Sequence, residues 1–196
     1  RRDITAEEAE TGMQTPPILI FDHAGALVAS FGDPQVTPRS IHGCFFDRDN
    51  NVYVGGNNDG IIQKYSHEGK LLMQIGTRGT VDTTDGTSKG VFQNSSKQRL
   101  FNPAGMVIDP TNGDIYVADG YGNKRVAVFD KEGRFLRQWG GKATPAETEA
   151  GAPGLFSNVV HCIALSNAGL VYVCDRQGDR IQVFDKTGKF VCNIWI

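Results

Sequence analysis

The chain has 196 residues, with 24 glycines, 8 prolines and a formal net charge of −2. That near balance excludes a basic field able to hold nucleic acid or an anionic membrane surface, and no apolar run is long enough to span a bilayer as a helix. High glycine with short β-branched and aromatic runs points to an all-β protein with many turns.

The sequence opens on Arg1 rather than Met, as a trimmed N-terminus would, so the lack of a leader says nothing about export. Residues 1–16 are polar and acidic and read as a short arm, helical or disordered. From Pro17 the pattern changes. ILIFDHAGALVASFG (18–32) is an apolar run, a turn and an alternating run, the signature of a hairpin. The same hairpin recurs at 61–76, 125–140 and 180–196. In every copy an aromatic residue precedes a turn glycine by four positions: Phe21 and Gly25, Tyr65 and Gly69, Phe129 and Gly133, Phe184 and Gly188. The glycine supplies the positive φ that a tight hairpin turn needs.

Each of the last three hairpins follows another, at 41–56, 104–120 and 160–175, with a matching "VYV" or "IYV" strand. Two hairpins make a four-stranded antiparallel unit, and self-similarity at this period signals a β-propeller or a solenoid. The expected organisation is therefore a polar arm (1–16) and a partial β-propeller over 17–196. Its parts are a half blade at 17–32 and blades at 40–76, 102–140 and 157–196, about three and a half in all. A closed propeller usually holds more, so the expectation is a longer protein whose C-terminal blades lie outside this sequence, leaving two blade faces open here. Residues 77–100 and 141–155 are polar, small-residue-rich connections and read as surface insertions, often functional and often mobile.

Three residues hold equivalent places at the start of the inner strands: His42, Ala104 and His161. Inner-strand starts surround a propeller's channel, so two imidazoles face one axis and are candidate metal ligands; the plainer alternative is a pair of hydrogen-bonded channel histidines. His23 and His67 lie in outer turns and read as exposed.

The loops joining the second and third strands are the other candidates. In DGYGNKR (119–125) and DRQGDR (175–180), Asp119 with Arg125 and Asp175 with Arg180 read as braces. Tyr121 and Arg176 are insertions inside the brace, with chemistry to offer. A tyrosine beside a cation or metal can act as general base, and a guanidinium can grip a carboxylate. A surface aromatic and a solvated arginine are the plain alternatives. Cys44, Cys162, Cys174 and Cys192 show no CxxC spacing, and three of them lie in apolar strand patterns. They read as free buried thiols, with a single disulfide in an exported protein as the alternative.

The repeat YVADGYGNKRVAVFDKEGRFLRQWG resembles the NHL repeat. The order of features from Ile18 to Ile196 is similar to that of peptidyl-α-hydroxyglycine α-amidating lyases: an "ILIFD" hairpin, an "HG" inner strand, an "FNPAG…IYVADGY" blade, a "QWG" strand, then "H" and "DR…RIQ". That resemblance implies a six-bladed propeller, secreted or periplasmic, that splits a peptidyl-α-hydroxyglycine into a peptide amide and glyoxylate. It implies a zinc ion held by three histidines, of which His42 and His161 match two. Tyr121 matches the catalytic tyrosine, and Arg176 matches an arginine of the site. A calcium ion near Cys44 is also implied. The family cysteine within the DGY loop is Gly122 here, and another lies where Tyr172 stands. The rival reading is a non-catalytic NHL propeller binding a protein, peptide or glycan. A propeller lactonase or hydrolase is disfavoured, because no carboxylate starts an inner strand.

Overall fold

A computed structural model of the chain describes residues 16–196; the expected polar arm, apart from Pro16, lies outside the described residues. Two compact units are present, one ending at Thr37 and one running from Pro38 to Ile196. In the first, strands β1 (Ile18–Phe21) and β2 (Leu27–Phe31) pair antiparallel. Gly25 takes φ +82° in their turn, and the Asp22 carboxylate accepts from the amides of Ala24 and Ala26 at 2.9 Å each.

The second unit holds three four-stranded antiparallel sheets whose strands follow one another in chain order. The first sheet contains β3 (Ile41–Phe46), β4 (Val52–Gly56), β5 (Ile61–Tyr65) and β6 (Leu71–Ile75). The second contains β7 (Pro103–Ile108), β8 (Ile115–Asp119), β9 (Arg125–Phe129) and β10 (Phe135–Trp139). Next come β11 (Gly141–Lys142) and β12 (Leu155–Phe156), a short parallel pair. The third sheet contains β13 (Val160–Leu165), β14 (Leu170–Asp175), β15 (Arg180–Asp185) and β16 (Phe190–Trp195). Gly69, Gly133 and Gly188 take φ +85°, +82° and +93° in the outer turns, as the repeated aromatic-to-glycine spacing predicts.

The core lies between the sheets rather than inside any one of them. Strand side chains alternate between faces, so β8 serves two clusters. Ile115 and Val117 pack with Tyr53, Ile62 and Ile75 of the first sheet. Tyr116 and Ala118 pack with Val160, Val171, Val173 and Phe184 of the third. All of β8 is buried, as a strand covered on both faces must be. Each fully buried valine or isoleucine contributes about 1.5–3 kcal/mol over its exposed state, and that is what stacks the blades.

The three inner strands share one irregularity. Register passes from Ile41↔Gly56 to Gly43↔Gly55, from Pro103↔Asp119 to Gly105↔Ala118, and from Val160↔Asp175 to Ile163↔Val173. The residue that follows the first pair, and so sits in the bulge, is His42, Ala104 or His161. A β-bulge re-aims a side chain and increases local twist, so the blades deliver these residues equivalently. Neighbouring inner strands also approach closely here. A Cβ on Gly43 would meet the Ala104 carbonyl at 3.0 Å, and one on Gly105 the His161 carbonyl at 3.1 Å.

Two expectations change. Cys162 and Cys174 are joined as a disulfide across β13 and β14, with Cα atoms 5.0 Å apart, while Cys44 and Cys192 are free and exposed. The reading of free buried thiols fails because the bulge in β13 sets Cys162 beside Cys174, which sequence spacing alone does not reveal. The connection at 141–155 is also more regular than its composition suggests. It carries a one-turn helix, α1 (Pro145–Glu149), with a capping box in which Thr144 and Glu147 satisfy each other's amides. Among the described residues no helix is long and apolar enough to cross a membrane.

Candidate active site

Asp119 and Arg125 close the β8–β9 loop with a fully buried ion pair at 2.9 Å, and Asp175 and Arg180 close the β14–β15 loop with one at 3.0 Å. The two arginines differ in what else they hold. Arg125 also donates to the carbonyls of Ser96 (2.9 Å) and Arg99 (2.8 Å) and to Gln138 Oε1 (2.5 Å), and its Nη2 lies 3.4 Å from Asp82. Residues 82–99, within the 77–100 connection read from sequence as a surface insertion, are thus tied to the second four-stranded sheet at Asp82, which is 3% exposed. The Asp82 carboxylate also takes the amides of Ser95 (2.9 Å) and Ser96 (3.1 Å) and the Asn123 side chain (3.1 Å).

Beside these two loops the sequence candidates meet, Tyr121 and Arg176 from the loops and His42 and His161 from the inner strands β3 and β13. Tyr121 Oη lies 3.2 Å from His42 Nε2 and 3.2 Å from His161 Nε2, and it accepts from Arg176 Nη1 at 3.3 Å. The three rings stand edge-on to one another, with centroids 5.2 Å (His42–Tyr121), 5.4 Å (His42–His161) and 5.7 Å (Tyr121–His161) apart. The Arg176 guanidinium also stacks over the Tyr121 ring at 5.4 Å, a cation–π contact. Residues from three blades therefore converge on one phenolic oxygen.

The tautomer of His42 follows from its other nitrogen. Nδ1 lies 2.8 Å from the Ala104 carbonyl, which can only accept, so Nδ1 carries a hydrogen and donates it there. A backbone carbonyl on the remote nitrogen is the usual outer support of a metal-ligating histidine. Burial lowers the pKa of His161 from the ordinary value, and the nearby Arg176 and His42 lower it further. Two imidazole nitrogens facing one point are of the ligand type that suits a borderline-soft cation such as zinc. A catalytic zinc site usually has three protein ligands, and two histidines face this point. Among the described residues no group of three or more His, Cys, Asp or Glu is clustered for a metal.

One residue of the site escapes sequence reasoning. Lys124, 6% exposed, turns back so that Nζ faces the carbonyls of its own loop. Burial, then Lys142, lower its pKa from the ordinary ammonium value, and Asp119 opposes them.

Stacked four-stranded blades, each offering one bulged inner-strand position where side chains from several blades converge, define a β-propeller with its candidate site in the channel. Residues 102–129 match the NHL repeat. The chain is a β-propeller that carries an NHL repeat in its second four-stranded sheet. It is similar to NHL repeat-containing protein 3 of Homo sapiens, 31% identical over 189 residues that cover 93% of this chain and 49% of the relative. It is similar to peptidyl-glycine alpha-amidating monooxygenase B of Xenopus laevis, 33% identical over 156 residues covering 78% of this chain and 16% of the relative. Over a shorter stretch it is similar to peptidyl-alpha-hydroxyglycine alpha-amidating lyase 1 of Drosophila melanogaster, 32% identical over 95 residues covering 47% of this chain and 17% of the relative. The chain thus spans about half the length of the first of these curated relatives and under a fifth of the other two.

Proposed function

We propose that this propeller is a zinc-dependent carbon–nitrogen lyase acting on peptidyl-α-hydroxyglycine. The observation that carries the reading is the convergence of His42, His161 and Arg176 on Tyr121 Oη, at 3.2, 3.2 and 3.3 Å. The similarity to amidating enzymes supports it independently.

His42 and His161 would hold the zinc through Nε2, with a further ligand from outside these residues. When bound, the ion supplies Lewis-acid polarisation of the substrate's hydroxyl. Arg176 is exposed and offers its guanidinium to the substrate carboxylate, a charge-assisted bond with room for bidentate geometry. That contact orients the hydroxyl-bearing carbon toward Tyr121. Tyr121, acting as the phenolate, then takes the hydroxyl proton. The electron pair left on oxygen forms the carbonyl of glyoxylate as the C–N bond breaks, and the proton held by Tyr121 passes to the departing amide nitrogen, which regenerates the base. No electron is gained or lost, so no redox partner is needed. The Asp119–Arg125 brace keeps the loop from yielding as the proton moves.

The test is glyoxylate release from a peptidyl-α-hydroxyglycine by the full-length protein supplied with zinc. Tyr121→Phe should lower kcat by about 100- to 10,000-fold, the usual contribution of general acid–base catalysis. Unchanged turnover in that variant overturns the reading. The absence of glyoxylate from the intact protein favours the rival, a non-catalytic propeller that binds a protein or peptide at the channel mouth.

A further inference from the structure

The β8–β9 loop is held from two sides. On the outside, the amide of Tyr121 donates to the Asn102 carbonyl (3.2 Å), and those of Gly122 and Asn123 donate to the Phe101 carbonyl (3.0 and 3.2 Å). On the inside, the Lys124 ammonium faces four successive carbonyls: Gly120 (3.1 Å), Tyr121 (3.3 Å), Gly122 (3.4 Å) and Asn123 (3.0 Å). An ammonium has three N–H groups, so it shares them among four oxygens as a point charge in a ring of dipoles. The loop's N–H groups are satisfied by a neighbouring segment and its C=O groups by one side chain. Buried carbonyls left without a partner are costly, so this lysine decides whether the loop keeps its curl.

Neither other blade repeats the device. The β14–β15 loop makes a single 3₁₀ turn, Arg176–Gly178, closed by Asp179 at φ +46°. There the amides of Arg176 and Gln177 donate to the carbonyls of Val159 (3.0 Å) and Asn158 (2.9 Å), and no lysine stands at the end of the loop. The cage belongs to the loop that carries Tyr121.

We infer that Lys124 is a positioning residue whose ammonium gathers the carbonyls of residues 120–123 into a cage, fixing the backbone at Tyr121 and holding Tyr121 Oη where His42, His161 and Arg176 converge. The inference rests on the reading of Tyr121 as the proton acceptor only for its catalytic consequence; the cage itself is a property of the loop. Lys124→Ala removes the ammonium and leaves a carbonyl-lined hole that a small alkylammonium ion can refill.

The experiment is amide hydrogen exchange by mass spectrometry on the intact protein, wild type against Lys124→Ala, with and without ethylammonium, alongside glyoxylate kinetics. Exchange across residues 120–124 should accelerate about tenfold or more in the variant, as local opening becomes easier, and ethylammonium should slow it again while tetramethylammonium does not. In the same samples kcat should fall about 100-fold, the scale of a misplacement of about 1 Å, with KM within about twofold, and ethylammonium should restore part of kcat. Unchanged exchange, or acceleration that ethylammonium fails to reverse, overturns the inference. If Lys124→Ala does not fold, Lys124→Met keeps the alkyl stem and drops the charge; it must show the same acceleration, and normal exchange there overturns the inference equally. If the wild type releases no glyoxylate, the lyase reading falls while the exchange arm still decides what Lys124 does.

Discussion

Replacing Arg125 with methionine keeps most of the side-chain volume and removes the guanidinium, which has no exposed surface. The change strands the Asp119 carboxylate, whose remaining partners are the Phe101 amide and the Asn123 side chain, each at 2.8 Å. It also strands the Ser96 and Arg99 carbonyls and leaves Asp82 without a cation beside it. Breaking a buried ion pair by removing one partner costs about 3–5 kcal/mol. We therefore expect a loss of about 4 kcal/mol, and with a urea slope of about 2 kcal/mol/M the denaturation midpoint falls by about 2 M. Arg180→Met is the internal control. Arg180 keeps a buried pair with Asp175 (3.0 Å) and the Leu155 carbonyl (2.8 Å), but its Nη1 has no hydrogen-bond partner among the described residues. Its replacement should cost less, by about 1–2 kcal/mol, since it strands fewer buried polar groups. A loss under about 1 kcal/mol for Arg125→Met, or a larger loss for Arg180→Met, would refute the claim that Arg125 ties the 82–99 segment to its blade.

Three further outcomes follow from single contacts. A Cβ at Gly122 would overlap the Phe101 ring, so Gly122→Ala should lose about 1–3 kcal/mol as an overpacked site, and Phe101→Leu in the same chain should recover part of it in thermal melts. The Asp109 carboxyl is buried, which alone would raise its pKa. Lys186, 2.5 Å away, and the Thr111 side chain and amide outweigh burial and hold it below 3.8. A depressed folded-state pKa gives stability that is present above the unfolded value and lost as pH falls through the folded one. Wild type should therefore lose melting temperature more steeply than Asp109→Asn below about pH 4, and parallel curves there would contradict the pairing. Arg176→Lys keeps the charge but loses the fork, so kcat/KM for a carboxylate-bearing substrate should fall about 10- to 100-fold, with stability within about 0.5 kcal/mol because the side chain is exposed.

The repeat was legible because its signals are local. In each outer hairpin an aromatic residue stands four places before the turn glycine, and Gly69, Gly133 and Gly188 all take the left-handed backbone the turn requires. The Asp119–Arg125 and Asp175–Arg180 braces were legible for a related reason, since their partners close the same short loop. Counting from the turn residues also placed His42, Ala104 and His161 in register. That each sits in a bulge was not visible, because a bulge depends on the pairing of two strands.

Long-range chemistry was hidden in the same way. Asp82 reads as one more polar residue in a glycine- and serine-rich connection, and only the fold brings it to Arg125. Cys162 and Cys174 pair because β13 and β14 are neighbours, which no count of cysteines discloses. The α1 helix is the opposite case. Thr144, Pro145 and Glu147 spell out a helix start, but the small polar residues around them make the stretch look like plain loop. Lys124 had no readable signal, since its partners are backbone oxygens exposed by the curl of its own loop.

The central claim is that His42 and His161, from two blades, are ligands of one ion beside Tyr121. The direct measurement is zinc stoichiometry and affinity for the full-length protein and its His42→Ala and His161→Ala variants, by equilibrium dialysis with metal analysis. The account predicts one tightly held zinc per wild-type chain, and in each single variant an affinity lower by about 100-fold or more, as expected for loss of one of a few ligands in a tetrahedral site. Wild-type zinc affinity in either variant, or no zinc bound by the intact protein, would contradict it.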